Sequence, residues 1–197
     1  MPQPKRELER TELIGDWPEI AFQNYVLARA GRQRGFWYPA GSCAHFAVEL
    51  ILKYLLVVPH VFNRKTWPNR GPVFAPNDLR GHRLTKLWHE FDAAYPNHPL
   101  TGFTDFVAEL DRWGGIRYAQ IGHVGATFTP TLESAVVSRK ANAHQPHEVF
   151  AFDLRQLDQF FRQVLEFIGA DRYLLGSKFM VLGGRDLYEA DNPFAIK

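Results

Sequence analysis

Three titratable residues recur one helical turn apart in an otherwise apolar stretch: His45, Glu49 and Lys53. On a helix, residues four apart stack along a single face. Two chemistries suit such a stripe. His45 and Glu49 stand at the spacing of metal ligands, and His82 or His89 could bring a third ligand by packing. The alternative is an ion pair beside a hydrogen-bonded His, because Glu four residues ahead of Lys is the favourable order on a helix. The ion pair is the simpler expectation, with no metal.

A second chemistry lies in residues 59–83. Arg64, Lys65, Arg70, Arg80 and Arg83 oppose a single acid, Asp78, and Phe62, Trp67 and Phe74 are interleaved with them. Cations beside rings suit single-stranded nucleic acid, since bases stack while phosphates pair with charge. Arg64, Lys65, Trp67, Arg70, Arg80 and Arg83 are therefore the candidate nucleic-acid contacts, and Arg29, Arg32 and Arg34 could extend the patch. The competing reading is a loop whose rings pin it to the protein while its charges face water. Sixteen arginines stand against seven lysines. The guanidinium fork favours phosphate or carboxylate ligands, although a GC-rich genome produces the same skew. The net charge of +2 does not by itself imply a nucleic-acid partner.

His144, His147 and Glu148 form a small group that could hold a metal or simply be solvated in a Pro-containing loop. Cys43 is the only cysteine, which excludes an intrachain disulfide and a Cys-based zinc site. Within an apolar run it reads as a buried structural thiol. There is no Gly-rich phosphate loop, no zinc-protease helix motif and no nucleophile elbow. No cofactor is expected. The polar start MPQPKRELERTELIG lacks the apolar centre of a signal peptide. His45, Glu49 and Lys53 interrupt the longest apolar run, so a membrane span is not expected and the cytoplasm is the expected compartment.

The elements that must position these groups are helical. At 197 residues with 46% apolar and 22% charged residues, the chain fits one globular domain. Residues 1–15 read as a flexible arm, 16–182 as one helical bundle and 183–197 as a loose tail. Asp16-Trp17-Pro18 starts a first helix, with Trp17, Ile20, Tyr25, Val26 and Leu27 on its buried side and Gly31 and Gly35 at its stop. Pro39 and Gly41-Ser42 open the second, with Ser42 as cap, and the nearly all-apolar run Cys43–Val58 demands neighbours on every side. Gly81-His82-Arg83-Leu84 leads into a third helix through Leu87, Trp88 and Phe91. Thr101–Trp113 makes a fourth, stopped by Gly114-Gly115. A small irregular or β insertion is expected around 120–150. Asp153 then caps a helix carrying Leu154, Leu157, Phe160, Phe161, Val164, Leu165 and Ile168, ended by Gly169, and Asp171 opens a last short one. The expected fold class is an all-α, multi-helix antiparallel bundle.

The string HFAVELILKYLL resembles the central helix of HEPN-type helical proteins, in which a small residue, Glu, an aliphatic pair, Lys and further aliphatics follow one another. GHRLTKLW resembles that family's Gly-His-polar-Leu approach to the next helix, and Ile116-Arg117-Tyr118 is similar to the Arg-Tyr pair after its fourth helix. The resemblance covers about residues 42–118. It implies a bundle of antiparallel helices, often dimeric, whose members include RNases, nucleotide binders and scaffolds. The RNase members carry an Arg followed a few residues later by a His at the dimer cleft; there His moves protons at the ribose 2′-hydroxyl and Arg steadies phosphate charge. Arg83–His89, Arg117–His123 and Arg139–His144 have that spacing, and Arg139–His144 lies nearest the family's late position, so Arg139 and His144 are the catalytic candidates.

The resemblance thus implies a cytoplasmic homodimer that binds RNA or nucleotide without strong catalysis, in a defence or toxin system, with a partner protein encoded nearby. A metal-independent endoribonuclease using one Arg–His pair and a helical interaction scaffold are the alternatives.

Overall fold

The computed structural model describes residues 16–57, 79, 81–114 and 153–197, and the backbone alone of 126–130, 134–139 and 148–152. Its fold is an all-α multi-helix bundle carrying a small antiparallel sheet. The order is α1 (Trp17–Gln33), α2 (Trp37–Val57), α3 (Leu84–Ala94), a 3-10 turn (Thr101–Phe103) running into α4 (Thr104–Gly114), β1 (Ala126–Pro130), β2 (Ser134–Arg139), β3 (Glu148–Asp153), α5 (Leu154–Ile168), α6 (Asp171–Leu175) and α7 (Arg185–Glu189).

α1 begins where the Asp-Trp-Pro signal placed it, with Pro18 in its first turn, where the missing N–H costs nothing. Its buried side is not the expected one throughout. Tyr25 and Val26 are buried, but Ile20 and Leu27 are 38% and 49% exposed; Ala21, Phe22, Ala28 and Arg29 take the core instead. The helical register, not side-chain size, decides which face is covered. After Gln33 the chain turns at Gly35, whose φ of 80° is open to glycine at little cost. The Arg32 guanidinium lies 3.8 Å over the Trp37 ring, tying the end of α1 to the start of α2.

α2 starts at Trp37, six residues before the Cys43 start that a Ser42 cap implies. Pro39 fits its first turn, and Gly41 is no breaker here. A Cβ at Gly41 would come within 2.2 Å of the Trp113 ring, so the glycine exists to admit that indole. From Ala44 to Val57 all residues but Phe46 and Lys53 are buried. This helix is long and apolar enough to cross a membrane, and most of that stretch is enclosed by the protein's other elements. Each aliphatic side chain so enclosed contributes roughly 1.5–3 kcal/mol. Cys43 is half-buried against the core.

α1, α3 and α4 pack on α2, and α5 closes the bundle against α1. Asp153 caps α5, its Oδ1 accepting from the N–H groups of Arg155 and Gln156 at 2.8 and 3.2 Å, and Gly169 ends it in the left-handed conformation. Phe160 packs edge-on against Phe103 at 5.3 Å, while Phe161 stacks on Tyr25 at 4.4 Å. The excursion expected around 120–150 is a three-stranded antiparallel sheet in the order β1-β2-β3, with Phe128 opposite Val137 and Val137 opposite Phe150. β3 lies beside α4.

The C-terminal stretch is a correction to the expected loose tail. Arg29 Nη1 donates to the Leu187 carbonyl and Nη2 to the Ala190 carbonyl, at 2.6 and 2.7 Å. Asn192 donates to the Tyr25 hydroxyl, and the Ile196 N–H donates to the Tyr188 hydroxyl. Tyr188 itself is buried beside Phe22. A short polar tail looks loose in sequence because its partners sit more than 150 residues earlier. The expected arm, 1–15, lies outside the described residues.

Candidate functional site

Glu49 is the centre of the described polar seam. It sits mid-way along α2 and is 1% exposed, so its charge needs partners close by. Lys53, one turn further, places Nζ 2.7 Å from Oε1. His82, 33 residues later and just before α3, places Nδ1 2.9 Å from the same oxygen. A carboxylate facing an ammonium can only accept, so His82 Nδ1 carries the proton and donates. The ion-pair reading of the stripe is the one the geometry takes, with His82 added to it.

His45, one turn before Glu49, is fully buried. Its Nδ1 lies 3.8 Å from Glu49 Oε2 and its Nε2 3.9 Å from Asp111 Oδ1. Gly114 permits this, since a Cβ there would stand 2.7 Å from Nε2. Asp111 comes from the last turn of α4 and serves α3. Its Oδ1 accepts from the Leu84 N–H at 2.6 Å and its Oδ2 from the Thr85 hydroxyl at 2.7 Å. Arg83 at the N-cap position of α3 has no side-chain acceptor to offer, so a neighbouring helix supplies the cap. Burial pushes the Asp111 carboxyl up, but the nearby His45 imidazole and the hydrogen bonds from Thr85 and Leu84 outweigh it and set the group at about 2.

The seam therefore runs from the buried imidazole of His45 out to His82 and Arg83. The side chain of His82 is 57% exposed and that of Arg83 is 83% exposed. Arg83 Nε stands 4.0 Å from Asp111 Oδ2. Among the described residues, no group of three or more His, Cys, Asp or Glu is arranged to hold a metal ion. His89 is exposed on α3 and turned out of the seam.

A second buried polar group was not anticipated. Arg29 and Asp158 are 0% and 1% exposed, with Nε 2.6 Å from Oδ1 and Nη2 3.1 Å from Oδ2. The Tyr25 hydroxyl donates to Oδ1 at 2.7 Å. Burial pushes the Asp158 carboxyl above its ordinary value, and the Arg29 and Tyr25 hydrogen bonds offset only part of that rise. Arg29 was expected to extend a surface patch; it is instead a core ion-pair partner, because Asp158, 129 residues away, faces it across α1 and α5. Arg32, buried against Trp37, leaves the patch as well, while Arg34 stays exposed.

Of the remaining candidates, Arg139 ends β2 and pairs in register with Glu148, by backbone alone. His144, Arg64, Lys65, Trp67, Arg70 and Arg80 lie outside the described residues, as do His147, His123 and Arg117. Arg83 is the described end of the basic segment. Comparison with known proteins finds no matching family model, no matching curated protein and no matching solved structure.

Proposed function

We propose that this chain is a HEPN-like nucleic-acid- or nucleotide-binding protein, cytoplasmic and homodimeric, that binds without strong catalysis. What supports the reading is one contact. Glu49 lies in the string HFAVELILKYLL and His82 in GHRLTKLW, the two strings that carry the resemblance, and they meet at 2.9 Å with Lys53 on the same oxygen. Two motifs far apart in sequence thus act as one linked unit. Arg83 follows directly, with its guanidinium in water at the end of the segment that carries Arg64, Lys65, Arg70 and Arg80. Cations interleaved in sequence with rings would meet phosphates and bases together. A role in a defence or toxin system, beside a nearby-encoded partner, belongs to the same proposal.

The test is fluorescence anisotropy of a labelled single-stranded RNA across a salt series, with the RNA run on a gel afterwards. The expected result is an affinity that falls steeply with salt, an intact RNA, and weaker binding for Arg83→Glu together with Arg64→Glu. An affinity indifferent to salt and to these charge reversals would refute the binding reading. Cleaved RNA would favour the Arg–His endoribonuclease instead.

A further inference from the structure

We propose that His82 is a phosphoryl-accepting residue, whose Nε2 attacks an acyl phosphate, with Glu49 as its positioning residue. This goes beyond the binding reading and does not depend on it. A nucleophilic imidazole needs one defined tautomer, a lone pair in reach of solvent, and a counter-charge for the cationic ring that forms. His82 has all three. Its Nδ1–H is held at 2.9 Å by Glu49 Oε1, which leaves the lone pair on Nε2. The imidazole is 57% exposed while the carboxylate behind it is 2% exposed. The charge of Glu49 therefore acts through a dry contact on a wet ring, where a charge-assisted hydrogen bond is strongest. Arg83, the next residue, carries an exposed guanidinium that suits the oxygens of a transferred phosphoryl group.

The other described histidines fail one requirement each. His45 is fully buried. His98 spends both nitrogens: Nδ1 accepts from the Leu100 N–H at 2.9 Å and Nε2 meets Asp92 at 2.6 Å, with the ring 1% exposed. His89 is exposed, yet no ion pair to it occurs among the described residues. It is the natural internal comparator.

The step balances as follows. The Nε2 lone pair forms the N–P bond, the P–O bond to the acyl group breaks, and its electron pair leaves with the carboxylate. The Nδ1 proton stays where it is, shared with Glu49, and the ring takes the positive charge. Lys53, on the same Glu49 oxygen, keeps that carboxylate in place through the reaction.

The experiment incubates the full chain with acetyl phosphate and follows acid-labile phosphoryl groups by peptide-level mass spectrometry at neutral pH. The expected result is one principal label, on His82, appearing about tenfold faster than on His89, the factor a single charge-assisted hydrogen bond supplies. His82→Asn removes it. Glu49→Gln brings the His82:His89 ratio close to one, and because the ratio is internal to each molecule, a general loss of stability does not imitate that outcome. No label on His82, equal rates at the two histidines in the unaltered chain, or a ratio unmoved by Glu49→Gln would each overturn the proposal. The first two need no variant, so they hold even where Glu49→Gln fails to fold.

Discussion

Gly41→Ala is the substitution on which helix propensity and tertiary packing disagree in sign. Within a helix interior, Ala is favoured over Gly by about 1 kcal/mol. In this structure the added Cβ would meet three Trp113 ring atoms at 2.2, 2.5 and 2.5 Å, and ordinary contact begins at 3.4 Å. The indole, fully buried, must retreat by about 1.2 Å into a core that is already filled. Overpacking typically costs about 1–3 kcal/mol, and with a rigid ring as the obstacle and no room to retreat the upper part of that range, about 2–3 kcal/mol, applies and exceeds the propensity gain. The net loss is about 1–2 kcal/mol, which for a chain of this size lowers Tm by about 2–8 °C. Gly31→Ala in α1 is the matched control. Its Cβ would touch Ala40 Cβ at 3.4 Å, an ordinary contact, so propensity wins and Tm rises by a degree or two. Thermal melts followed by far-UV circular dichroism measure both. Adding Trp113→Leu to Gly41→Ala should cost less than the two singles together, by about 1 kcal/mol, since the pair is in contact. If Gly41→Ala melts at or above the unaltered protein, Trp113 does not pack on α2 and the reasoning fails.

Three further outcomes are expected. Asp158→Ala leaves the Arg29 guanidinium buried and unpaired, at a cost of about 3–5 kcal/mol, and should open the 185–197 stretch to protease early in a digest; equal digestion of both chains would count against the clamp. Asp111, its folded carboxyl held at about 2 against an ordinary 3.8, adds stability that is fully present above pH about 4 and is lost as pH falls through about 2. After screening this amounts to about 1–2 kcal/mol, so urea titrations should show Asp111→Asn with a flatter pH dependence across that window, and parallel curves would refute it. Asp153→Ala removes the α5 cap and should lower stability by about 1 kcal/mol in the same assay, with no change in the tail's protease resistance.

The contact between His82 and Glu49 is fixed in place because α2 is enclosed. An exposed Glu49 would pair with Lys53 in water, where such a pair is worth little and fixes nothing. Enclosed, it can lock the tautomer of a ring that solvent still reaches. The same enclosure makes His45 and Asp111 neighbours and lets α4 cap α3, so the seam and the bundle are one construction.

What the amino-acid order determined alone was local. The Pro18 start of α1, the Asp153 cap and Gly169 stop of α5, the three-residue stripe of α2 and the Glu49–Lys53 pair all arise from groups within a turn or two of each other. Their energies depend on neighbours in the chain, so spacing reads them. What only the tertiary structure decided was set across distance: Gly41 as a seat for Trp113, Arg29 facing Asp158, the tail held through its own Leu187 and Ala190 carbonyls by Arg29, 158 and 161 residues earlier, and Ile20 and Leu27 left in water while Arg29 went inside. Packing surfaces are chosen jointly by all the helices that meet. A single stretch cannot disclose which of its faces another will fill.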